Sequence, residues 1–311
     1  MQLVRGLHNL KPDHRGCVAT IGNFDGVHLG HQSVFRHLLE KGDELRLPTT
    51  VVTFEPQARE FFQADTAPAR LTRLREKLQA IQEVGVDRVV VLEFNRRLAA
   101  MPAERFVEEL LVKGLGTRFL SVGDDFRFGN GRQGDYGLLQ RMGMEHGFEV
   151  ENMNTYRLDA DRVSSTRIRE LLTQGDFETA SQYLGRPYRI CGRIGHGDKR
   201  GRGIGFPTLN LNLHRRVSPL HGVYAVRVEG LEAQPLPGVA NIGVRPTVEG
   251  GARYLLEVHL FNFARSVYGE HVSVECVRKL RDEQRFENFE ALRRQIQRDA
   301  EAAKEIFGII G

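Results

Sequence analysis

The sequence predicts two domains of different fold class, an α/β domain followed by an antiparallel β-barrel. In the first half, short apolar runs alternate with stretches of helical periodicity, which predicts a parallel sheet with helices on both faces. In the second half, short β-rich runs alternate with glycine, proline and asparagine turns, which is typical of a closed barrel. The segment Leu184–Tyr188 breaks the last helix of the first half. We therefore predict domains over residues 1–184 and 185–311.

Each predicted strand of the first half is a short run rich in apolar residues. These strands are Cys17–Ile21, Thr49–Phe54, Arg88–Leu92, Arg118–Val122 and Phe148–Met153. One helix is predicted from four apolar residues at helical spacing, Leu71, Leu74, Leu78 and Ile81. Parallel sheets bind ligands beyond the carboxyl ends of their strands. We therefore expect one crevice where the segments 22–31, 55–56 and 122–129 converge.

The second half carries a similar series of short runs. The predicted barrel strands are Tyr188–Ile194, Val223–Val228, Val239–Ile242, Tyr254–Leu260 and Val272–Val277, with a further strand through Leu209, Leu211 and Leu213. A terminal helix is predicted to start near Asn288, because asparagine is a favoured N-cap residue. The apolar residues on one side of this helix are Phe289, Leu292, Ile296, Ala300, Ala303 and Phe307.

Composition narrows the class of protein. The 311 residues are 41% hydrophobic and 27% charged, as in globular proteins. The net charge of +4 suits nucleotide or phosphate ligands and does not by itself imply nucleic acid. Cys17, Cys191 and Cys276 fit neither a disulfide frame nor a metal-ligand spacing, so we expect a reducing cytoplasm. No apolar run approaches the length of a membrane span, so we expect no membrane partner.

The segment Gly22–His31 carries two histidines three residues apart, where a strand turns into a helix. At such a junction the backbone N–H groups and the helix dipole favour anionic ligands. Glycine lets a phosphate approach the backbone, and both imidazoles can donate hydrogen bonds from one face. The segment therefore predicts a nucleotide site. The residues assigned to it are Gly22, Asn23, Phe24, Asp25, His28 and His31.

Three other interpretations of this segment remain open. The two histidines could bind zinc, although the glutamate of the H-E-x-x-H motif is missing and Gly30 lies between them. Residues 23–27 could form an ordinary tight turn, and a pair of histidines is often structural.

A second glycine motif, Gly129–Gly134, matches the G-x-G-x-x-G pattern of dinucleotide-binding proteins and is followed by Glu151. It lies outside the first βαβ unit, so the match is weak, and an NAD-dependent oxidoreductase stays an alternative. Just before this motif, Asp124 and Asp125 would point to opposite sides of an extended chain. We expect one of the two to reach the crevice; the sequence leaves open which, and Asp125 is the one assigned to ATP.

The segment Arg162–Arg169 places hydroxyl and guanidinium groups around the start of a predicted helix. Serine and threonine are good N-caps, which is the structural interpretation. In the functional interpretation the segment binds nucleotide phosphates, because helical spacing brings Arg169 close to Ser165 and Thr166. Arg162 is assigned to the same site.

The stretch His196–Asn210 is rich in glycine and basic residues. A solvated loop is the ordinary interpretation, but the apolar alternation that begins at Leu209 joins the stretch to a strand. Thr208 and Asn210 would then point to the same side, and their oxygen atoms suit Mg²⁺. Downstream, Glu257 lies in a strand-like run, where an acidic residue either faces solvent or takes part in catalysis.

Together these segments resemble the prokaryotic bifunctional riboflavin kinase/FAD synthetase family, over nearly the whole chain and in motif order. Three segments resemble elements of its nucleotidyltransferase: Gly22–His31 (H-x-G-H), Val122–Gly129 (the second nucleotide loop) and Ser164–Arg169 (S-S-T-x-x-R). Two more resemble its flavokinase: Gly205–Asn210 (G-F-P-T-x-N) and Pro237–Thr247. Glu257 falls where that family has its catalytic base.

The resemblance implies a riboflavin kinase in the C-terminal barrel, which would convert riboflavin and ATP to FMN. Glu257 would be the catalytic base, and Thr208 and Asn210 would hold Mg²⁺. The ATP-binding residues that the resemblance assigns there are His196, Gly197, Gly205, Phe206 and Pro207. The residues assigned to flavin contacts are Arg281, Glu283 and Phe286.

The resemblance also implies an N-terminal nucleotidyltransferase-type domain, which would transfer AMP from ATP to FMN and release FAD and pyrophosphate. His28 and His31 would stabilise the transition state, while Ser165, Thr166 and Arg169 would hold the pyrophosphate. The chain departs from the family pattern at Ala58, Leu209 and Asn262, where a second proline, alanine and aspartate are usual.

The expected partners are small molecules, namely riboflavin, FMN and ATP, and a transient homo-oligomer is left open. A rival from another class is a nucleic-acid-binding protein with a basic barrel, which would bind RNA or DNA with a steep salt dependence. The sequence lacks the interleaved basic and aromatic residues of a stacking platform. We therefore expect no nucleic-acid partner.

Overall fold

The computed structural model describes residues 1–153, 156–158, 161–195, 206–215, 217–246 and 252–309. The chain divides into two compact units, of which the first comprises residues 1–68 and 72–164 and the second comprises residues 69–71 and 165–311. The functional division at residues 184 and 185 stays a prediction. Within the described ranges, no helix combines the length and the apolar character that crossing a membrane requires.

The first unit contains a six-stranded sheet. Its strands are β1 (Gln2–Arg5), β2 (Cys17–Ile21), β3 (Thr49–Glu55), β4 (Arg88–Glu93), β5 (Thr117–Gly123) and β6 (Glu149–Met153). All neighbours are parallel, in the order β1-β4-β3-β2-β5-β6, so the predicted parallel sheet is confirmed. The edge strand β1 was not predicted, because Val4 is its single buried residue. A small antiparallel ribbon joins β7 (Arg157–Leu158) to β8 (Asp161–Arg162).

Helices cover both faces of this sheet. They are α1 (Leu29–Leu45), α2 (Ala58–Phe62), α3 (Leu74–Val84), α4 (Arg96–Ala99), α5 (Ala103–Phe106) and α6 (Tyr136–His146), with a π-helical segment at Val107–Gly114 and 3₁₀ turns at Leu7–Asn9, Pro12–His14 and Asn130–Arg132. Cys17, Ala19 and Ile21 of β2 pack in one core, which includes residues of α5 and α6. Val18 packs in the other, with residues of α1 and α3. Leu71 is buried but precedes α3, so its predicted place in that helix is wrong.

The second unit begins with two helices and continues into the barrel. Its elements are α7 (Ser165–Gln174), α8 (Phe177–Leu184), β9 (Arg189–Gly195), β10 (Leu209–Asn212), β11 (Gly222–Glu229), β12 (Leu236–Pro246), β13 (Ala252–Leu260), β14 (His271–Arg281) and α9 (Phe289–Ile306). The strands close in the order β10-β13-β12-β11-β14-β9, and every pair is antiparallel. The predicted barrel is confirmed.

The terminal helix α9 packs on the outside of the barrel. Its N-cap is Asn288, whose side chain accepts a hydrogen bond from Ala291 N, as predicted. Ala300 and Ala303 pack in one cluster with residues of β11 and β12. Phe289 was placed on the same apolar side but is 58% exposed. Helical periodicity shows which side of the helix is apolar. It does not show how much of that side is covered by the barrel.

Candidate functional site

The loop between β2 and α1 has a strained backbone. Phe24, Gly26 and Val27 have φ angles of 46°, 86° and 43°, in the left-handed region that phenylalanine and valine rarely adopt. Gly22 has no room for a side chain, because a Cβ there would lie 2.9 Å from the Phe24 ring. Such a backbone persists only where its surroundings hold it in place.

Buried side chains fix this loop through hydrogen bonds. The Asp25 carboxylate, which is 4% exposed, accepts hydrogen bonds from Thr72 N at 3.0 Å and Thr72 Oγ1 at 3.3 Å. Gly26 N donates to Thr72 Oγ1 at 2.9 Å. On the other side, Lys77 Nζ donates to Asn23 O at 2.6 Å. Asp25 therefore anchors the loop, and Lys77 is an anchor that no sequence motif indicated.

His28 and His31 form a stacked pair at the start of α1. Their ring centroids are 3.6 Å apart with an interplanar angle of 19°. His28 is the N-cap, and its Nδ1 accepts from His31 N at 3.4 Å. Gly30 makes room for this ring, because a Cβ there would lie 3.2 Å from it. Since Nδ1 accepts, the neutral His28 ring carries its proton on Nε2, which can donate to a phosphate oxygen.

His28 has a structural role as well, as one of the other interpretations of the loop suggested, because its side chain caps the start of α1. Among the described residues, no group of three histidine, cysteine, aspartate or glutamate side chains is placed to hold a metal ion. The described structure therefore gives the zinc interpretation no support.

Packing explains the first and the last glycine of the second motif. A Cβ at Gly129 would lie 2.6 Å from the Cα of Ala103, and a Cβ at Gly134 would lie 2.7 Å from the Phe128 ring. Glu151 is the acidic residue after this motif, and its Oε2 lies 2.9 Å from His37 Nε2, within hydrogen-bond distance. The dinucleotide-binding interpretation therefore has no geometric support. Asp124 and Asp125 are both exposed in the turn after β5, and the assignment of Asp125 stays a prediction.

A cluster of four phenylalanines lies where β3 and β4 end, and it was not predicted. Phe54 and Phe61 lie 5.9 Å and 5.5 Å from Phe94, measured between ring centroids. Phe62 lies 5.6 Å from Phe94 and is 64% exposed. An exposed phenylalanine supported by other rings offers a flat apolar surface to a ligand.

The residues of the S-S-T-x-x-R element lie at the start of α7. Ser165 and Thr166 are its first two residues, and Arg169 follows about one turn later. Arg169 Nε donates a hydrogen bond to Ala69 O, within the second unit. Arg162 lies on β8 of the first unit and is exposed. That these residues bind one nucleotide together with His28 and His31 stays a prediction.

In the barrel, three polar side chains lie side by side on neighbouring strands. Asn210 of β10 and Asn241 of β12 both pair directly with Glu257 of β13. Their strand neighbours Leu211, Ile242 and Leu256 are fully buried. Because successive strand residues point to opposite faces, the two amides and the carboxylate share the outer face. Cβ atoms of directly paired residues are about 5 Å apart.

Glu283 lies beside this polar group, in which the Asn210 side chain is buried. Asn210 is 6% exposed, and its Oδ1 accepts no hydrogen bond from any described residue. Its Nδ2 donates to Thr208 O at 3.3 Å. The Glu283 carboxylate lies over Gly243, where a Cβ would overlap Oε1 and would lie 3.3 Å from Asn241 Nδ2. The structure thus places Glu283 near the row of Asn210, Glu257 and Asn241.

His259 fixes the Phe206–Pro207 segment to β13. Its Nδ1 lies 3.0 Å from Pro207 O, and a carbonyl oxygen only accepts, so Nδ1 carries a proton. Its ring makes an edge contact with Phe206 at 5.0 Å. Burial lowers the pKa of His259, against the opposing effect of the hydrogen bond to Pro207. No sequence motif indicated this residue.

A surface cleft opens beside Thr208 and Asn210. Its other wall comes from residues 263–268, in the loop between β13 and β14. Three residues that were assigned to ATP, namely His196, Gly197 and Gly205, lie outside the described residues.

Arg281 is held by α9. Its guanidinium makes a double hydrogen bond to Asp299, which is 6% exposed, with Nε–Oδ1 at 3.0 Å and Nη2–Oδ2 at 2.7 Å. The guanidinium also lies 5.7 Å from the centroid of the Phe286 ring. Arg281 therefore joins α9 to the segment that contains Glu283 and Phe286.

Replacing Asp299 by alanine should lower the free energy of unfolding by about 3 kcal/mol, because the largely buried Arg281 guanidinium loses its carboxylate. Chemical denaturation of the full chain would measure this change. Glu301→Ala on the exposed side of the same helix is the matched control and should change stability little. Equal stability of the two variants would contradict the role of this ion pair.

Comparisons with known proteins show which families the two parts of the chain match. The FAD synthetase family model matches residues 10–167, and the riboflavin kinase family model matches residues 184–307. Bifunctional riboflavin kinase/FMN adenylyltransferase of Escherichia coli (strain K12) is 53% identical over 310 residues, with 99% of each chain covered. The protein of the same name from Pseudomonas fluorescens is 54% identical over 306 residues, with 98% of each covered.

A solved structure shares the fold of nearly the whole chain. It is titled as the crystal structure of a macrolide-efflux protein from Streptococcus pneumoniae, with a TM-score of 0.79, 28% identity, and 98% and 99% of the two chains covered. The family models and the curated relatives agree on the two activities and on their order along the chain. This chain therefore belongs to the bifunctional riboflavin kinase/FMN adenylyltransferase family, with the adenylyltransferase first and the kinase second.

Proposed function

We propose that the two reactions use two separate sites, one in residues 1–184 and one in residues 185–311, and that ATP is the donor in both. The observation that carries the kinase site is the polar row of Asn210, Glu257 and Asn241 on the outer face of the barrel. The observation that carries the adenylyltransferase site is the clamped loop 22–28 with the stacked histidines at its end.

In the kinase, Glu257 is the catalytic base. Its carboxylate accepts the proton of the ribityl hydroxyl of riboflavin as that oxygen forms a bond to the γ-phosphorus of ATP. The bond from the γ-phosphorus to the bridging oxygen breaks, and ADP leaves. A base on a barrel strand suits this task, because strand pairing on both sides restricts where the carboxylate can move. Glu283 and Phe286 contact the flavin, and Arg281 holds their segment in place.

Thr208 and Asn210 are the residues that would hold Mg²⁺. The buried Asn210 Oδ1, which accepts no hydrogen bond from the described residues, fits this assignment, since Mg²⁺ prefers oxygen ligands and takes few of them from protein. When bound, Mg²⁺ neutralises charge on the phosphates. The hydrogen bond from His259 to Pro207 O positions Thr208 next to this oxygen. The adenosine part of ATP occupies the adjoining cleft, and the glycine-rich residues with His196, Gly197 and Gly205 cover the phosphates.

In the adenylyltransferase, a phosphate oxygen of FMN attacks the α-phosphorus of ATP, and the bond to the β-phosphate breaks to release pyrophosphate. The FMN phosphate is already ionised, so no general base is needed. His28 and His31 donate hydrogen bonds to the charged transition state. Residues 22–25, Asp125 and Arg162 bind ATP, and Ser165, Thr166 and Arg169 hold the departing pyrophosphate.

The phenylalanine cluster is the site we assign to the isoalloxazine ring of FMN. Phe54 follows Thr53 in β3, and Thr53 Oγ1 donates to Asn23 O at 3.3 Å, so the cluster adjoins the 22–28 loop. Phe62 supplies the exposed ring. Aromatic stacking suits a flat apolar ligand. We also propose a cytoplasmic enzyme without a nucleic-acid partner, in keeping with its three free cysteines.

We expect riboflavin, ATP and MgCl₂ to give FMN and then FAD when incubated with the protein, as measured by chromatography of the flavins. Supplied FMN should give FAD without a lag, and chelation of Mg²⁺ should stop FMN formation. Unchanged riboflavin would contradict the kinase assignment. Unchanged FMN would contradict the adenylyltransferase assignment.

A further inference from the structure

Lys77 of α3 is completely buried in the first unit. Lysine is among the residues that are least often buried, because removing an ammonium group from water is unfavourable. Its Nζ donates to Asn23 O at 2.6 Å and lies 3.4 Å from Thr53 Oγ1. The ammonium group thus lies directly below the loop that follows β2.

These contacts direct one carbonyl group toward the protein interior. Asn23 O accepts hydrogen bonds from both Lys77 Nζ and Thr53 Oγ1, and both donors are fully buried residues. In a planar trans peptide, the C=O and the following N–H point in opposite directions. The N–H of Phe24 therefore points away from Lys77.

In the described parts of the chain, the backbone N–H of Phe24 donates to no protein acceptor. The φ angle of 46° at Phe24 is unfavourable for this residue type, and the hydrogen bonds to the adjoining carbonyl hold the peptide in that orientation. A cation at the carbonyl end also polarises the peptide and strengthens its N–H as a donor.

We propose that Lys77 is a positioning residue for adenylyl transfer, which holds and polarises the Asn23–Phe24 peptide so that the Phe24 N–H donates to a phosphate group of ATP. This inference rests on the proposed function, because it takes the 22–31 segment as the ATP site. Lys77 itself does not touch the nucleotide. Its effect reaches the phosphate through one peptide group, as a preorganised donor.

The first test is Lys77→Met, which keeps the length of the side chain and removes its charge. We expect kcat/KM for ATP in FMN adenylylation to fall about 10²-fold, as when one preorganised donor is lost. The KM for FMN should change less, and Lys77→Arg should recover part of the loss. Lys41→Met, a neutralised lysine on α1 that pairs with Glu44, is the matched control and should keep its activity. Riboflavin kinase activity of the same chain serves as the internal control.

A second variant tests the peptide directly, in case Lys77→Met does not fold. Incorporating phenyllactic acid at position 24 replaces the Phe24 N–H by an ester oxygen and keeps the side chain. We expect kcat/KM for ATP to fall about tenfold or more, as for a hydrogen bond to a charged group. In the Lys77→Met background, the ester should lower kcat/KM for ATP by a smaller factor than it does in the unmodified protein. Both changes then act on the same interaction.

The outcomes separate this inference from the proposed function. Unchanged adenylylation in the ester variant, or in Lys77→Met, would overturn the inference. An equal fall in kinase and adenylyltransferase activity of Lys77→Met would overturn it as well. If His28→Asn also kept full adenylylation, the 22–31 segment would not be the ATP site, and the proposed function would fail. If His28→Asn lost adenylylation while the other two variants kept it, only the role of Lys77 would be rejected.

Discussion

Replacing Glu257 by glutamine should slow FMN formation by about 10²–10⁴-fold, the usual contribution of a positioned general base. Glutamine keeps the shape of the side chain and its place between Asn210 and Asn241, but it cannot accept the proton of the ribityl hydroxyl. The KM for riboflavin should change little, because the lost interaction is made in the transition state. Steady-state assays with riboflavin and MgATP would measure both parameters.

The same variant should convert supplied FMN to FAD at the normal rate, since that reaction belongs to the other domain. Glu232→Gln, in an exposed position of the barrel domain, is the matched control and should leave both activities intact. Equal loss of both activities in Glu257→Gln would contradict the division of the two reactions between two sites. Full kinase activity would remove Glu257 from the mechanism.

Replacing His28 should reduce FMN adenylylation by about 10²–10³-fold, the effect of removing one donor that stabilises transition-state charge. Two substitutions separate its two roles. Asparagine can still accept the hydrogen bond from His31 N as an N-cap but lacks the imidazole, whereas alanine loses both and also destabilises α1 by about 1 kcal/mol. Both variants should lose adenylylation and keep the kinase.

Assays of FAD formation from FMN, alongside thermal unfolding, would distinguish the possibilities. Normal adenylylation in His28→Asn with a loss in His28→Ala would show that His28 acts only as a cap of α1. His8→Asn, at an exposed position of the same domain, should behave like the unmodified protein. A loss of kinase activity in His28→Asn would contradict the assignment to the first domain.

Both architectures could be predicted because burial patterns are local. Strand β2 was predicted with its observed bounds, since all five of its residues are buried. Strands β11 to β14 were predicted too short at one or both ends, as in β12, which extends over Leu236–Pro246. Edge strand β1 was missed, because a strand with one buried residue has no apolar run to indicate it.

The residues that support the sites could not be predicted in this way. Lys77 is 54 positions from Asn23, and His259 is 52 positions from Pro207. Neither lies in a motif, and lysine in particular is expected at the surface from its residue type. The phenylalanine cluster likewise joins Phe54, Phe61 and Phe62 to the more distant Phe94. Such contacts depend on which strands become neighbours.

By itself the sequence determined the class of each domain, the order of the motifs and the residue types offered for chemistry, because periodicity and short-range geometry act within a few positions. Only the tertiary structure decided which of these residues meet. It placed Asn241 opposite Glu257, put Asp25 against Thr72 and buried an ammonium group beneath Asn23. The physical reason is that strand register and core packing join positions far apart in the chain, and no local pattern specifies them.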